Sequence, residues 1–222
     1  MAAPISVVIP TLNAATALPG CVASLMEGVE AGILREVVIS DGGSTDATKA
    51  IAGGIGARLV TGPASRGGQL RRGCAAAQGP WILLLHADTQ LAPGWAEAAR
   101  AHMLTGQAGW GTLRFDRGGA FVAGWANWRS RSLGLPYGDQ SLLLPHSLLN
   151  EVGGVPDLPL MEDVALARAL KGQLAPAGFT AVTSAEKYRT QGWVRRGARN
   201  LWTLARYFTG TSPDELAKAY RS

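Results

Sequence analysis

A chain of 222 residues with a formal charge of +5 and 29 glycines has room for one sizeable core and is too short for an array of domains. Its two cysteines, Cys21 and Cys74, exclude a disulfide framework and a cysteine metal cluster, and read as buried thiols in a reducing cytoplasm. The stretch from Met1 to Gly20 lacks a basic start and is broken by Pro4, Pro10 and Asn13, so no secretory signal is expected; the densest apolar run, Trp81 to Leu85, is too short to span a bilayer.

Taken in chain order, Ile5-Ser6-Val7-Val8-Ile9 is a β-branched run closed by Pro10 and predicts a buried first strand. Leu18, Val22, Leu25 and Met26 then recur at helical spacing, predicting a helix from about Ala14 to Gly28. Val37 to Ser40 is a second strand running into Asp41-Gly42-Gly43-Ser44-Thr45-Asp46, whose hydroxyl and acid residues suit the cap of a helix reaching about Gly53. Arg58 to Val60, Gly67 to Gln78 and Trp81 to Leu85 read as strand, helix and strand. This alternation predicts an α/β fold with a mainly parallel sheet and helices on both faces. Ligands of such sheets sit beyond the carboxyl ends of the strands. Pro10-Thr11, Asp41 and His86-Ala87-Asp88 end three of those strands, so they are expected to converge.

The second half is less regular. Strands are expected at Gly109 to Phe115 and Ser141 to Leu144, and helices at Gly118 to Ser132 and Glu162 to Lys171. No repeat or low-complexity linker divides the chain, so residues 1–180 read as one catalytic domain and 181–222 as a basic helical extension. From Thr180 onward eight basic residues (Lys187, Arg189, Arg195, Arg196, Arg199, Arg206, Lys218, Arg221) face three acidic ones (Glu186, Asp214, Glu215), a net +5. A basic tail on a near-neutral body points to a local anionic partner and not to a nucleic-acid surface. Val194, Ala198, Leu201, Trp202, Ala205 and Phe208 recur at helical spacing in this tail, making a basic amphipathic helix. Two readings stay open: the apolar face packs on the catalytic domain, the favoured one, or it lies in an anionic membrane interface. Ser212-Pro213-Asp214-Glu215 is a capping box opening a last helix. Trp110, Trp125 and Trp128 suit a core, or, with Phe121, an acceptor surface.

Four groups carry chemistry. Asp88, at a strand end, can hold Mg²⁺ or Mn²⁺ on a diphosphate, or cap the helix starting near Pro93. Asp41 can accept hydrogen bonds from a base or ribose while Gly42 and Gly43 admit close approach, or the segment is simply a capped turn. Arg66, beside Gly67-Gly68-Gln69, offers a guanidinium fork to phosphate, with Arg71 and a solvated Arg72 following. Glu162 and Asp163 open a helix, where either is a candidate general base or part of a dipole-favoured first turn.

The order Pro-Thr-Leu-Asn, Asp-Gly-Gly-Ser-Thr-Asp, Ala-Asp and Glu-Asp, spread over about Pro4 to Leu170, resembles the family-two glycosyltransferases. Leu85-His86-Ala87-Asp88-Thr89, Pro136-Tyr137-Gly138-Asp139-Gln140 and Pro159-Leu160-Met161-Glu162-Asp163 look like a small bacterial branch, the radical-SAM/selenodomain-associated glycosyltransferases. The free thiols and the lack of a spanning run lead us to expect a cytoplasmic location, peripheral at most. The resemblance implies the GT-A fold and an enzyme that takes a nucleotide-diphosphate sugar, UDP by family frequency, and a small-molecule or lipid acceptor. It implies that Pro10, Thr11, Asn13, Asp41 and Gly43 line the nucleotide site and that Asp88 binds the divalent metal. It further implies that Asp163, next to Glu162, is the base of an inverting displacement, and that Gly138, Asp139 and Gln140 sit near the transferred sugar or acceptor. Three departures stand out: Gly42 replaces a second aspartate, His86 replaces the first acid of Asp-X-Asp, and the Gln-X-X-Arg-Trp motif of processive members is not recognisable. A nucleotidyltransferase is the rival enzyme, disfavoured by Pro10-Thr11-Leu12-Asn13-Ala14 where a glycine-rich basic signature would stand. A non-catalytic nucleotide- or lipid-binding relative is the third reading.

Overall fold

A computed structural model describes residues 3–221, apart from the side chains of Lys187 and Arg221, two of the basic tail residues counted above. The first half alternates strand and helix: β1 (Ile5–Thr11), α1 (Leu18–Ala23), α2 (Met26–Glu30), β2 (Leu34–Asp41), α3 (Thr48–Gly54), β3 (Arg58–Thr61), α4 (Arg66–Ala76) and β4 (Trp81–Leu84). Then follow β5 (Thr89–Leu91), α5 (Trp95–Met103), β6 (Ala108–Phe115), α6 (Ala120–Leu133), β7 (Leu142–Pro145), α7 (His146–Glu151) and α8 (Glu162–Ala169). The chain closes with β8 (Leu174–Thr183), α9 (Glu186–Gln191), α10 (Trp193–Phe208) and α11 (Pro213–Arg221).

All eight strands form one sheet in the order β3-β2-β1-β4-β7-β6-β8-β5. The β3-β2-β1-β4 half is parallel, as is β6 with β8, while β7 runs antiparallel to both β4 and β6. The architecture is therefore the α/β fold expected, with a mixed and mainly parallel sheet covered on both faces. Side-chain alternation divides the core. Ile5, Val7, Ile9 and Leu83 face a layer with Leu18, Leu25 and Trp95, while Val8, Ile82 and Leu84 face one with Leu70, Cys74 and Leu149.

Where expectation and structure part, a local cause is visible. The helix expected over 14–28 is two short ones, because Ser24 is used sideways: its hydroxyl donates to the Cys21 carbonyl (2.6 Å) and accepts from Leu91 N–H (3.1 Å). Its carbonyl also takes the Trp95 indole N–H at 2.9 Å, tying the break to β5 and α5. The long strand β8 was not expected, since Pro176 and Gly178 interrupt its pattern; between Trp110 and Thr112 of β6 its register shifts, accommodating both. It also runs three residues past position 180, so the sheet reaches into the segment read as an extension.

The tail corrects the favoured reading of its amphipathic helix. Val194, Ala198, Leu201, Trp202, Ala205 and Phe208 of α10 are all exposed, and the inward side carries Arg196, Arg199, Asn200 and Thr203. The face turned to the body is polar because it meets a polar cleft, described below. The last helix is anchored conventionally, with Ser212 Oγ accepting from Glu215 N–H and Leu216 and Ala217 buried against Leu160 and Met161. Likewise Trp125 and Trp128 of α6 are not core: they stack at 4.9 Å between centroids and stand half-exposed, whereas Trp110 is buried. Among the described residues no helix is long and apolar enough to cross a membrane.

The start of α4 is held against the loop before α8 by a close backbone approach at Gly67, whose N–H donates to the Leu158 carbonyl at 3.0 Å. A Cβ there would lie 2.1 Å from the Pro156 carbonyl oxygen, an atom fixed by the main chain. Gly67→Ala is therefore expected to cost about 1–3 kcal/mol in urea unfolding. Gly53→Ala, where nothing lies within 4 Å, should be neutral or stabilise by about 0.5 kcal/mol. Equal effects of the two would contradict the packing described.

Candidate active site

The tips of β1 and β2 are stitched into one unit. Asp41 is wholly buried, and its Oδ1 accepts from Gly43 N–H (3.0 Å) and Ser44 N–H (2.8 Å). Its Oδ2 accepts from the Thr11 hydroxyl at 3.0 Å and from the Ser44 hydroxyl. A carboxylate offers about four acceptor positions, so the protein itself occupies them. Burial works against the charge, but the Ser44, Gly43 and Thr11 donors outweigh it and hold the carboxyl below its usual range. Asp41 thus builds the loop and has no acceptor position left for a base, which corrects the contact expected of it. Asn13 takes a left-handed backbone, donates its N–H to Ser44 Oγ (2.8 Å) and accepts from Thr45 N–H through Oδ1 (2.9 Å). Beneath both tips the buried Gln69 amide donates to the Thr11 (2.7 Å) and Ser40 (3.0 Å) carbonyls. A Cβ on residue 42 would sit 2.9 Å from the Gln69 amide oxygen, which accounts for glycine in place of the second aspartate.

Next along the sheet, β4 delivers His86 and Asp88 to a cleft lined also by Arg66, Tyr137, Gly138, Asp139, Met161 and Asp163. Three separate segments meet there at one glycine. Gly138 N–H donates to Asp163 Oδ2 at 2.9 Å, and a Cβ on Gly138 would fall 2.5 Å from His86 Nε2, so the imidazole packs on its backbone. Asp163 Oδ1 accepts from Val164 N–H at 2.8 Å, so both carboxylate oxygens are held by main-chain donors. The preceding Met161 adopts φ 67° to turn the chain into α8. Asp88 and Asp163 therefore line one cleft.

Charge in the cleft is unevenly screened. Glu162 lies behind Asp163, 1 % exposed, with Arg66 Nε at 3.5 Å from Oε1 and no hydrogen-bond partner on either oxygen. Burial, reinforced by Asp163 and opposed by Arg66, pushes its carboxyl up to about 7. Burial likewise pushes Asp139 up to about 6; Arg129 opposes this, while Asp163 and Asp88 add to it. Arg129 is itself buried, stacks 3.4 Å from the Tyr137 ring centroid and donates to the Leu135 carbonyl at 2.9 Å. Burial and the charge on Asp88 push the Cys21 thiol far up, leaving it protonated next to the cleft.

Of the residues singled out in the sequence, Arg66, Asp88, Gly138, Asp139 and Asp163 are brought to this cleft. Pro10, Thr11, Asn13, Asp41 and Gly43 form the neighbouring tip cluster and do not line it. Gln140 corrects its expectation: fully buried, it accepts from the Ser130 hydroxyl (2.6 Å) and donates to the Gly111 carbonyl and Asn127 Oδ1 (3.3 Å each). It pins the turn that presents Gly138 and meets no ligand space. The residues not anticipated come mainly from the tail: Tyr188, Arg196, Asn200, Thr203 and Tyr220 form the far wall. Asn200 joins Tyr188 and Tyr220, donating to one hydroxyl and accepting from the other at 3.0 Å each. The arginine-bearing face of the predicted helix was the available signal.

Residues 6–154 match the model of the family described as glycosyl transferase family 2. The PGL/p-HBAD biosynthesis glycosyltransferases of Mycobacterium bovis and Mycobacterium tuberculosis are 40% identical over 99 residues, covering 41% of this chain and 38% of theirs. The chain thus matches well under half the length of these relatives. The structure of S. aureus TarS 1–349 superposes with a TM-score of 0.66 at 15% identity, covering 96% of this chain and 69% of that one. Glucosyl-3-phosphoglycerate synthase from Mycobacterium tuberculosis, solved with Mn²⁺, UDP and phosphoglyceric acid, gives a TM-score of 0.58 at 23% identity, over 78% and 67% of the two chains. These likenesses show the fold, and the family model covers more than half of the sequence. The chain belongs to glycosyl transferase family 2, and its α/β body has the fold of these structures.

Proposed function

We propose that this domain transfers a sugar from a UDP-sugar to a hydroxyl of a small-molecule or lipid acceptor, inverting the anomeric carbon, at the cytoplasmic side of the cell. The observation that carries the reading is that Asp88 and Asp163, remote in sequence, line one cleft in which main-chain donors orient Asp163. In this reading residues 1–180 are the catalytic body, 181–222 an extension that completes the cleft wall, and the chain falls in the radical-SAM/selenodomain-associated branch.

The nucleoside end lies over Pro10, Thr11, Asn13 and Gly43, with Asp41 as the positioning residue beneath them. Arg66 faces the diphosphate while Glu162 holds its inner edge. A divalent cation, Mg²⁺ or Mn²⁺, fits in one way only: no group of three His, Cys, Asp or Glu side chains gathers among the described residues, so Asp88 would hold it with diphosphate oxygens and water. Mg²⁺ commonly keeps waters and takes one or two carboxylates beside substrate phosphates. A cation held there would help neutralise charge developing on the departing diphosphate. The chain's own work is positioning and proton transfer. Asp163 takes the proton of the acceptor hydroxyl; the acceptor oxygen bonds to the anomeric carbon as the bond to the diphosphate oxygen breaks. Nucleoside diphosphate leaves. Gly138 and Asp139 border the transferred sugar, and Gln140 keeps their turn in place.

Asp163→Asn retains size but, with one acceptor oxygen, keeps only one of the two main-chain contacts; it cannot accept the proton and should lower kcat by about 10²–10⁴. Asp88→Ala should abolish transfer and also the Mn²⁺-dependent part of the UDP thermal shift, with the unliganded melting temperature kept within a few degrees. The product is read as free UDP; release of pyrophosphate would instead indicate a nucleotidyltransferase. Transfer at wild-type rate by either variant removes the role assigned to that residue.

Glu162 makes a second, pH-dependent test. Its folded value near 7 lies above an unfolded value of about 4.3, so the native state binds the extra proton. Its contribution to stability is present below about pH 4 and is lost as pH rises to about 7. Glu162→Gln removes that loss. The stability of the variant relative to wild type should therefore rise between pH 5 and pH 8, on the order of 1–3 kcal/mol in denaturant unfolding. A relative stability that falls over this interval would contradict the burial argument.

A further inference from the structure

Helix α10 is inside-out for a helix that packs on a soluble body. Val194, Leu201, Trp202 and Phe208 are 85%, 45%, 66% and 49% exposed, and Ala198 and Ala205 complete an unbroken apolar stripe. The stripe spans Val194 to Phe208 of this 16-residue helix, about 21 Å at 1.5 Å per residue. Rotating the helix to bury it would pull Arg196, Asn200 and Thr203 out of the cleft wall. The exposure follows from that commitment. A second exposed apolar group lies on α6, whose start meets the start of α10. The Trp193 ring lies against Gly119, where a Cβ would fall 2.3 Å away, so the starts of α10 and α6 abut. From that junction α6 presents Phe121, 89% exposed, and then the stacked Trp125 and Trp128.

An exposed apolar stripe of this kind marks a contact surface. Charge selects the occupant. Neither α6 nor α10 contains a carboxylate, and the two helices carry exposed Arg131 and Arg195. Two copies meeting through this surface would set arginines against a face with no acid of its own. An anionic bilayer supplies both complements, an apolar layer for the aromatics and phosphate headgroups for the arginines. We propose that the outer face of α10, with the exposed aromatics of α6, docks the protein in the interface of an anionic membrane. Because the inner face of the same helix lines the cleft, an acceptor anchored in that bilayer would reach the site round α10. That consequence rests on the transfer reading; the docking does not.

The test is co-sedimentation of the full chain with sucrose-loaded vesicles of phosphatidylglycerol or of phosphatidylcholine. Binding to the anionic vesicles, weakened by salt and weak on phosphatidylcholine, is expected. The double variant Leu201→Glu, Trp202→Glu alters side chains outside the cleft. It should lower partitioning at least about tenfold while keeping the melting temperature and the UDP-induced thermal shift. The milder pair Leu201→Ser, Trp202→Ser should show an intermediate loss. Failure of the wild-type chain to sediment with anionic vesicles overturns the docking, as does undiminished binding by the double variant. A dimer in solution that the same variant dissolves, without vesicle binding, assigns the face to a second copy and equally overturns it. Vesicle binding is read without turnover, so none of these outcomes bears on whether the domain transfers sugar.

Discussion

One hydrogen bond organises the site: the Gly138 N–H to the Asp163 carboxylate, with the His86 imidazole packed on the other side of that glycine. It joins the end of β4, the turn before β7 and the start of α8. Any side chain at 138 would collide with the imidazole, and any shift of the turn would release the carboxylate. The turn is in turn fixed from beneath, where Gln140 is fully engaged with Ser130, Asn127 and Gly111, and Arg129 is stacked under Tyr137. Buried polar networks of this kind are stable only when every member is satisfied. Most of this one is.

The exceptions are instructive. Glu162 and Asp139 both keep buried carboxylate oxygens without hydrogen-bond donors, and both are pushed toward neutrality by burial. In contrast Asp41 is held below its usual range because four donors converge on it. The difference separates a carboxylate that builds a loop from carboxylates left facing a charged cleft.

The tail belongs to the same electrostatic arrangement. The near-neutral body and the basic tail meet across the cleft, where Arg196 and Arg199 share the Gln191 side-chain oxygen and lie over Tyr188 and Tyr220. Polar side chains of α10 are drawn inward by the cleft, and its apolar stripe is left outside. An amphipathic helix has two faces, and the environment decides which one turns in.

Local pattern determined the strands β1, β2 and β4, because β-branched or leucine-rich runs bounded by proline, glycine and acid residues have few other uses. It also determined that Asp41, Asp88 and Asp163 stand at element ends, since sheet topology carries strand ends to one edge. It fell short at β8, where Pro176 and Gly178 hide a strand that a register shift against β6 accommodates, and at β5, three residues long. The period of α10 was legible from Val194 to Phe208, but periodicity specifies a face without a direction. Nor does a sequence say whether a polar side chain is already spoken for: Asp41 and Gln140 look like ligand contacts until their partners are counted in space. Only the tertiary structure decided those points, because hydrogen-bond saturation and the inward choice of a helix face depend on groups distant along the chain.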